Sequence, residues 1–138
     1  KYWTETFPFG SDPNLHWHAY PSFKICGEDK TLPEVMAMAG VKFPPSGMVG
    51  PETMHTHLGE PRIHIEGPPV NRKSITLGQF FKNINVKFSN ERILTYTGTS
   101  ACNNNKTNSL TVSVNGKPTD DPENLVLQDG QKILIEYA

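Results

Sequence analysis

The sequence predicts a single α+β domain in which most of the regular structure is β-sheet. Its 138 residues include 12 prolines and 11 glycines, which suits strands joined by loops better than a helical bundle. Several short segments alternate polar and apolar residues, whereas one segment near residue 80 has apolar residues at helical spacing. A chain of this length buries one core, so we expect one domain over residues 15–138 and an extended arm over residues 1–14.

The arm carries four large aromatic side chains, Tyr2, Trp3, Phe7 and Phe9, without a sustained period. Exposed rings of this size associate or collapse onto apolar surface, so we expect them to be buried. Two arrangements are open. The arm packs on its own domain, or residues 1–9 add a strand to a neighbouring subunit and support self-association into a filament.

The first half of the domain begins with a predicted strand over Leu15–Cys26, followed by a turn over residues 27–30. Thr31 and Glu34 have the spacing of a capping box, which would open a helix through Met38. Prolines and glycines soon follow, however, and we predict a short strand and then irregular structure over residues 31–40.

The second half of the domain is predicted as a helix followed by strands. Thr76 and Gln79 have capping-box spacing ahead of four apolar residues that share one helical face, which predicts the main helix at residues 76–85. Strands are predicted at residues 86–88, 93–96, 110–114 and 133–137, with turns at 89–91, 115–116 and 129–130.

The segment from Met54 to Glu66 predicts a hairpin that carries a metal site. Residues i and i+2 of a strand share one face, so His55 and His57 point the same way, as do His64 and Glu66 after the turn at 59–61. Opposed residues on paired strands have Cβ atoms about 4.5–5.5 Å apart, so three imidazoles can reach one ion.

A second His-x-His pair, His16 and His18, makes all five histidines candidate metal ligands. Imidazole suits copper and zinc alike, and methionines at 36, 38, 48 and 54 add possible soft donors, so we favour copper with zinc next. A cysteine within the cluster is absent, which argues against a blue-copper site. Glu66 and Glu60 are candidates to hold the far N–H groups of the ligands or to act as bases.

Two cysteines, Cys26 and Cys102, are predicted to form a disulfide across a long loop. Asn105 begins an N-glycosylation sequon, and no apolar run is long enough to span a bilayer. Lys1 opens no secretory signal pattern, so we expect a mature extracytoplasmic domain, secreted or at the cell surface, anchored to or near a membrane in its full precursor.

The charge distribution argues against nucleic-acid binding, because the net charge is -1 and Arg72-Lys73 is the largest basic group. No His-Glu-x-x-His motif and no Ser/His/Asp ordering occurs, so no catalytic residue is assigned. Three functions are open: an extracytoplasmic copper- or zinc-binding module, a zinc-dependent hydrolytic or hydrating enzyme, and a structural or filament-forming subunit with a metal staple.

The end of the chain, Val112–Lys117 and Leu127–Ile133, resembles the last strands of β-grasp (ubiquitin-like) domains, which often have an Asp-Gly turn before a final apolar strand. The resemblance implies a ββαββ order, with residues 35–72 inserted to carry the histidine-bearing hairpin.

The chain also resembles extracytoplasmic domains of archaea and bacteria that share three motifs. These are an early His-x-His, a later His-x-His with Ile-His-(Ile or Val)-Glu, and a Thr-Leu-Gly-x-Phe-Phe helix start. The matching residues are His16 and His18, then His55, His57 and His64 to Glu66, then Thr76 to Phe81. This resemblance implies no particular activity.

Overall fold

The computed structural model describes residues 15–67, 72–98 and 101–138, and the predicted arm over residues 1–14 lies outside them. The described residues form a mostly β structure with a mixed sheet and two α-helices, as the α+β class predicts. The strands are β1 (His16–Ile25), β2 (Glu28–Lys30), β3 (Met48–Val49), β4 (Met54–His57), β5 (Ile63–Glu66), β6 (Phe88–Ser89), β7 (Arg92–Ile93), β8 (Leu110–Val114), β9 (Lys117–Thr119) and β10 (Lys132–Tyr137). The helices are α1 (Leu32–Met38) and α2 (Leu77–Asn83), with 3-10 turns at Arg72–Ile75 and Pro122–Asn124.

Strand β1 is the centre of the sheet and uses both of its edges. Along one edge its second half pairs in parallel with β10, from Tyr20 opposite Lys132 to Ile25 opposite Tyr137. Along the other edge its first four residues pair with β5, and its last three pair with β2. The sheet order is therefore β3-β4-β5-β1-β10-β8-β9, with β2 beside the second half of β1.

The two faces of β1 differ in burial because strand side chains alternate. Ala19, Phe23 and Ile25 are buried on the core side, while Tyr20 and Lys24 are exposed on the opposite face. The core continues through the buried apolar residues Leu32, Val35, Met36, Met54, Ile63, Ile65, Ile75, Leu77, Phe80, Phe81, Ile84, Ile93, Val112, Leu127, Ile133, Ile135 and Tyr137.

Helix α2 covers the core face and confirms the predicted main helix with slightly shorter bounds. The Thr76 hydroxyl caps it by accepting from the Gln79 backbone N–H at 3.1 Å, but the Gln79 side chain donates to Asn83 at 2.8 Å instead of returning to the cap. Asn83 in turn donates to the Met54 carbonyl at 3.3 Å, which ties α2 to β4.

The prediction of a strand and irregular structure over residues 31–40 is wrong, because α1 occupies Leu32–Met38. The Thr31 hydroxyl accepts from the Glu34 N–H at 3.3 Å, and the Glu34 carboxylate accepts from the Thr31 N–H at 2.8 Å. Both halves of the capping box are therefore present, and the helix is further stabilised by burial of one apolar face. The following prolines and glycines lie beyond its end.

Two other local predictions need correction. The predicted turn over residues 27–30 is mostly strand β2, since the chain reverses at Cys26 and Gly27, which both have positive φ. The predicted strands at 86–88 and 93–96 shrink to the two-residue strands β6 and β7. The Asn115-Gly116 turn is confirmed and leads into β9.

Cys26 and Cys102 form the predicted disulfide, with Cα atoms 5.4 Å apart and a sequence separation of 76 residues. The bridge joins the end of β1 to the loop that precedes β8. Neither α-helix in the described part of the chain has the length and apolar character needed to span a membrane.

We predict that removing this disulfide destabilises the fold by about 2–5 kcal/mol, because a long cross-linked loop restricts the unfolded chain. Denaturant unfolding of wild type, with and without reductant, and of the variant carrying Cys26→Ala and Cys102→Ala measures the effect. The variant should unfold at the same denaturant concentration with and without reductant. Equal stability of oxidised wild type and the double variant would contradict the prediction.

Candidate metal centre

The strand register brings all five histidines to one face of the sheet. His64 on β5 lies opposite His18 on β1 and also opposite His55 on β4. His16 and His57 are two residues from His18 and His55 along their strands, so they share the same face. This face is opposite the apolar core, and we call it the histidine face.

The histidines form two groups of three that share His64. We call His55, His57 and His64 the inner triad, and His16, His18 and His64 the outer triad. Within each triad, one ring nitrogen per residue lies within 4.8 Å of the others, so both triads are positioned to bind a metal ion. The rings of His18 and His57 flank His64, each with its centroid 4.7 Å from that of His64.

His64 presents a buried ring nitrogen that is suited to a metal. Its side chain is almost fully buried, and its Nε2 lies 2.6 Å from a Glu60 carboxylate oxygen. A carboxylate only accepts, so Nε2 carries the proton and Nδ1 carries the lone pair. That Nδ1 is buried and has no hydrogen-bond partner among the described residues. Unpartnered buried polar atoms are rare, and a metal ion would satisfy this one.

Burial also keeps the His64 imidazole neutral in the absence of a metal. Desolvation lowers the pKa of His64 and outweighs the opposing effect of the hydrogen bond to Glu60. The same hydrogen bond lowers the pKa of Glu60, which keeps its carboxylate ionised. Burial, with Arg62 and His16 nearby, also lowers the pKa of His18. In both His18 and His64 the lowered pKa favours the neutral ring, which carries the lone pair that a metal needs.

His55 is oriented by the backbone that precedes its strand. Its Nδ1 lies 3.1 Å from the carbonyl oxygens of both Pro51 and Glu52, so Nδ1 carries the proton. In the neutral ring the lone pair is then on Nε2, which lies 3.4 Å from a Glu66 carboxylate oxygen. A lone pair facing a carboxylate is unfavourable unless a proton or a metal cation lies between them. The side chain of His55 is only 2% exposed, so water screens this repulsion little and its energetic cost is higher.

Glu60 and Glu66, the two acids singled out by sequence, both contact histidines. Glu60 uses its second oxygen to accept from Arg62 at 3.2 Å, so each of its oxygens is bound. Glu66 lies opposite His16 in the register as well as beside His55. By accepting from His64 Nε2, Glu60 fixes the orientation of that ring and raises the donor strength of its Nδ1, whereas Glu66 faces the lone-pair nitrogen of His55.

The four methionines considered as soft ligands are separated by the fold. Met36 and Met54 are buried in the core, and Met38 is exposed on α1. Met48 on β3 lies opposite His57, so its thioether is on the histidine face. The cysteines are joined to each other and supply no thiolate.

Several positioning residues were missed from sequence. Gly50, with φ of +100°, lets the 50–53 segment lie against β4, because a Cβ there would be 2.8 Å from the Met54 carbonyl oxygen. Backbone carbonyls leave no residue-type signal, so the hydrogen bonds that His55 donates to Pro51 and Glu52 were not predictable.

At the outer triad, the loop before β10 holds the backbone of His18. The Asp129 carboxylate accepts from the His18 backbone N–H at 2.9 Å, and the Gly130 backbone N–H donates to the His18 backbone carbonyl at 2.8 Å.

Comparison with known proteins adds no assignment, since no family model, curated protein or solved structure matches this chain.

We predict that Gly50→Ala displaces the carbonyls that hold His55 and destabilises the fold by about 1–3 kcal/mol. Nitrogen-15 NMR of the imidazoles should show loss of the pure Nδ1–H form of His55. Gly59→Ala is the matched control, because Gly59 also has positive φ of +81° but has nothing within 4 Å of its Cβ position. An unchanged His55 tautomer in Gly50→Ala would show that these carbonyls do not set it.

Proposed function

We propose that this chain is an extracytoplasmic metal-binding protein that holds copper, or next zinc, through histidines of the histidine face. The observation that carries the proposal is the buried, unpartnered Nδ1 of His64 among four further imidazoles. Its opposite ring nitrogen already binds a carboxylate, an arrangement typical of metal-ligating histidines. Burying this much imidazole is costly, and a bound ion would offset that cost.

Copper is favoured over zinc by the nature of the donors. Imidazole-rich sites generally bind Cu(II) more tightly than Zn(II), and the Met48 thioether on the same face would suit Cu(I). Zinc is satisfied by three imidazoles and a water, so the inner triad alone would also suit it.

An extracytoplasmic location is supported by the Cys26–Cys102 disulfide, since disulfides persist in oxidising compartments. The sequon residue Asn105 is exposed in the loop before β8, where a glycan could be attached. The β-grasp assignment also stays a proposal, supported by the local order β2-β1-β10-β8 with β1 and β10 parallel.

Binding is favoured over zinc-dependent hydrolysis because Glu60, the acid that contacts the buried ligand His64, is fully engaged in hydrogen bonds. Both oxygens of Glu60 are bound, so Glu60 is better suited to orienting a ligand than to activating water. The filament alternative depends on residues 1–9, which lie outside the described residues.

We predict that the metal-free protein binds one Cu(II) or Zn(II) per chain with a dissociation constant well below millimolar at neutral pH. Calorimetric or competition titration measures the affinity, and elemental analysis of protein from its source identifies the ion. Affinity should fall as pH drops through about 6, because a protonated imidazole has no lone pair. Binding no tighter than millimolar at neutral pH would reject the proposed function.

We predict that His55→Ala and His57→Ala each weaken binding at least about tenfold, because the inner triad then keeps only two imidazoles. Glu28→Gln on β2 is the control, since its exposed carboxylate lies beside the far end of β1 and should not affect affinity. A single variant that keeps wild-type affinity would remove that histidine from the ligand set.

A further inference from the structure

We propose that the inner and outer triads are two alternative positions for a single ion, and that the outer triad is the position at which the ion enters and leaves. This inference rests on the proposed metal-binding function and concerns how the ion is exchanged. The two triads share His64, and their other members lie on opposite sides of it, on β4 and on β1.

His64 allows only one ion at a time while Glu60 remains in place. The 2.6 Å contact with Glu60 occupies Nε2, so Nδ1 is the one donor atom that His64 can offer. An ion in the inner triad and an ion in the outer triad would each need that same lone pair. Two ions together would require His64 to lose its second proton and Glu60 to move away, which the buried contact opposes.

The two positions differ in how firmly their ligands are held. In the inner triad, His55 is 2% exposed and is fixed by two carbonyls, and His57 is half-buried. His64, which Glu60 holds, is common to both triads. In the outer triad, His16 is exposed and His18 is half-buried. Within the described part of the chain, no hydrogen bond holds either of these two rings, which contact each other at a centroid distance of 4.9 Å.

These differences give each triad a distinct role. Rigid, buried ligands hold an ion tightly and release it slowly, whereas exposed ligands without second contacts exchange readily. The rings of His18 and His57 are equally distant from that of His64. An ion bound to His64 can therefore change position by exchanging His57 for His18 as a ligand. His64 remains bound throughout, so transfer does not require release into water.

The test uses Cu(II) as the probe and the full chain with paired substitutions. The outer variant carries His16→Ala and His18→Ala, and its matched control carries Ser22→Ala and Lys24→Ala on the same exposed face of β1. The inner variant is His57→Ala, a half-buried residue whose truncation leaves the core intact. His64→Gln can still donate to Glu60 but lacks the ring nitrogen. Copper-to-chain ratio, affinity, and the rate of copper removal by EDTA are measured for each.

The expected results distinguish the two positions. Wild type, the outer variant and the inner variant each bind one copper per chain, while His64→Gln binds more weakly than either. The outer variant releases copper to EDTA at least tenfold more slowly than wild type, and His57→Ala releases it faster. The Ser22 and Lys24 control keeps the wild-type rate. Electron paramagnetic resonance of the two copper-loaded variants should give different spectra, because different imidazoles coordinate the ion.

Two outcomes would overturn this inference while leaving the proposed function intact. The first is tight binding of two coppers per wild-type chain, which would show that the triads fill together with His64 as a bridge. The second is copper release from the outer variant at the wild-type rate, which would show that the outer triad is not the exchange position. Failure of wild type to bind copper or zinc at all would instead reject the proposed function.

Discussion

The register between β1, β5 and β4 is the constraint on which the histidine face depends. His64 meets His18 on one side and His55 on the other, and each strand adds a second histidine two residues away. Because side chains alternate along a strand, a shift of one residue in β5 would move His64 into the core and Ile63 and Ile65 out of it. The register is therefore specified by apolar burial on one face, and the metal-binding potential of the other face follows from it.

Burial of the imidazoles is possible because each buried ring has a defined partner. Glu60 fixes one nitrogen of His64, and the carbonyls of Pro51 and Glu52 fix one nitrogen of His55. Each contact selects a tautomer, and in each ring the selected tautomer leaves the other nitrogen with a lone pair. Surface histidines without such partners would rotate freely. These contacts therefore fix the ring orientation and the tautomer of the candidate ligands.

The fold separates the elements that stabilise the domain from those that carry its chemistry. The second half of β1 pairs with β10 and ends at the disulfide, and its core side contacts α2 through Phe23 and Phe81 with ring centroids 6.2 Å apart. The first half of β1 pairs with β5 and carries His16 and His18 on the opposite face. One long strand thus belongs to both regions and connects the histidine face to the core.

Sequence by itself determined the local features of this protein. Patterns within a few residues predicted four features. These are the period-two spacing of His55 and His57, the capped apolar face of α2, the Asn115-Gly116 turn and the mostly β class. It also identified Glu60 and Glu66 by proximity in the hairpin. The capping box of helix α1 is visible in the sequence, but the prolines and glycines that follow it are typical of loops and led to a wrong prediction of strand and irregular structure.

Tertiary structure alone decided what the local patterns could not. The pairing of β1 with β5 joins residues almost fifty positions apart and makes His64 common to two triads, and no short-range pattern encodes that choice. Strand pairing also decides that Met48, unlike the other methionines, lies opposite His57. The path of the backbone decides that His55 donates to the Pro51 and Glu52 carbonyls. The physical reason is that side-chain spacing sets which way a residue faces within its own strand, whereas the burial of the whole core sets which strands become neighbours.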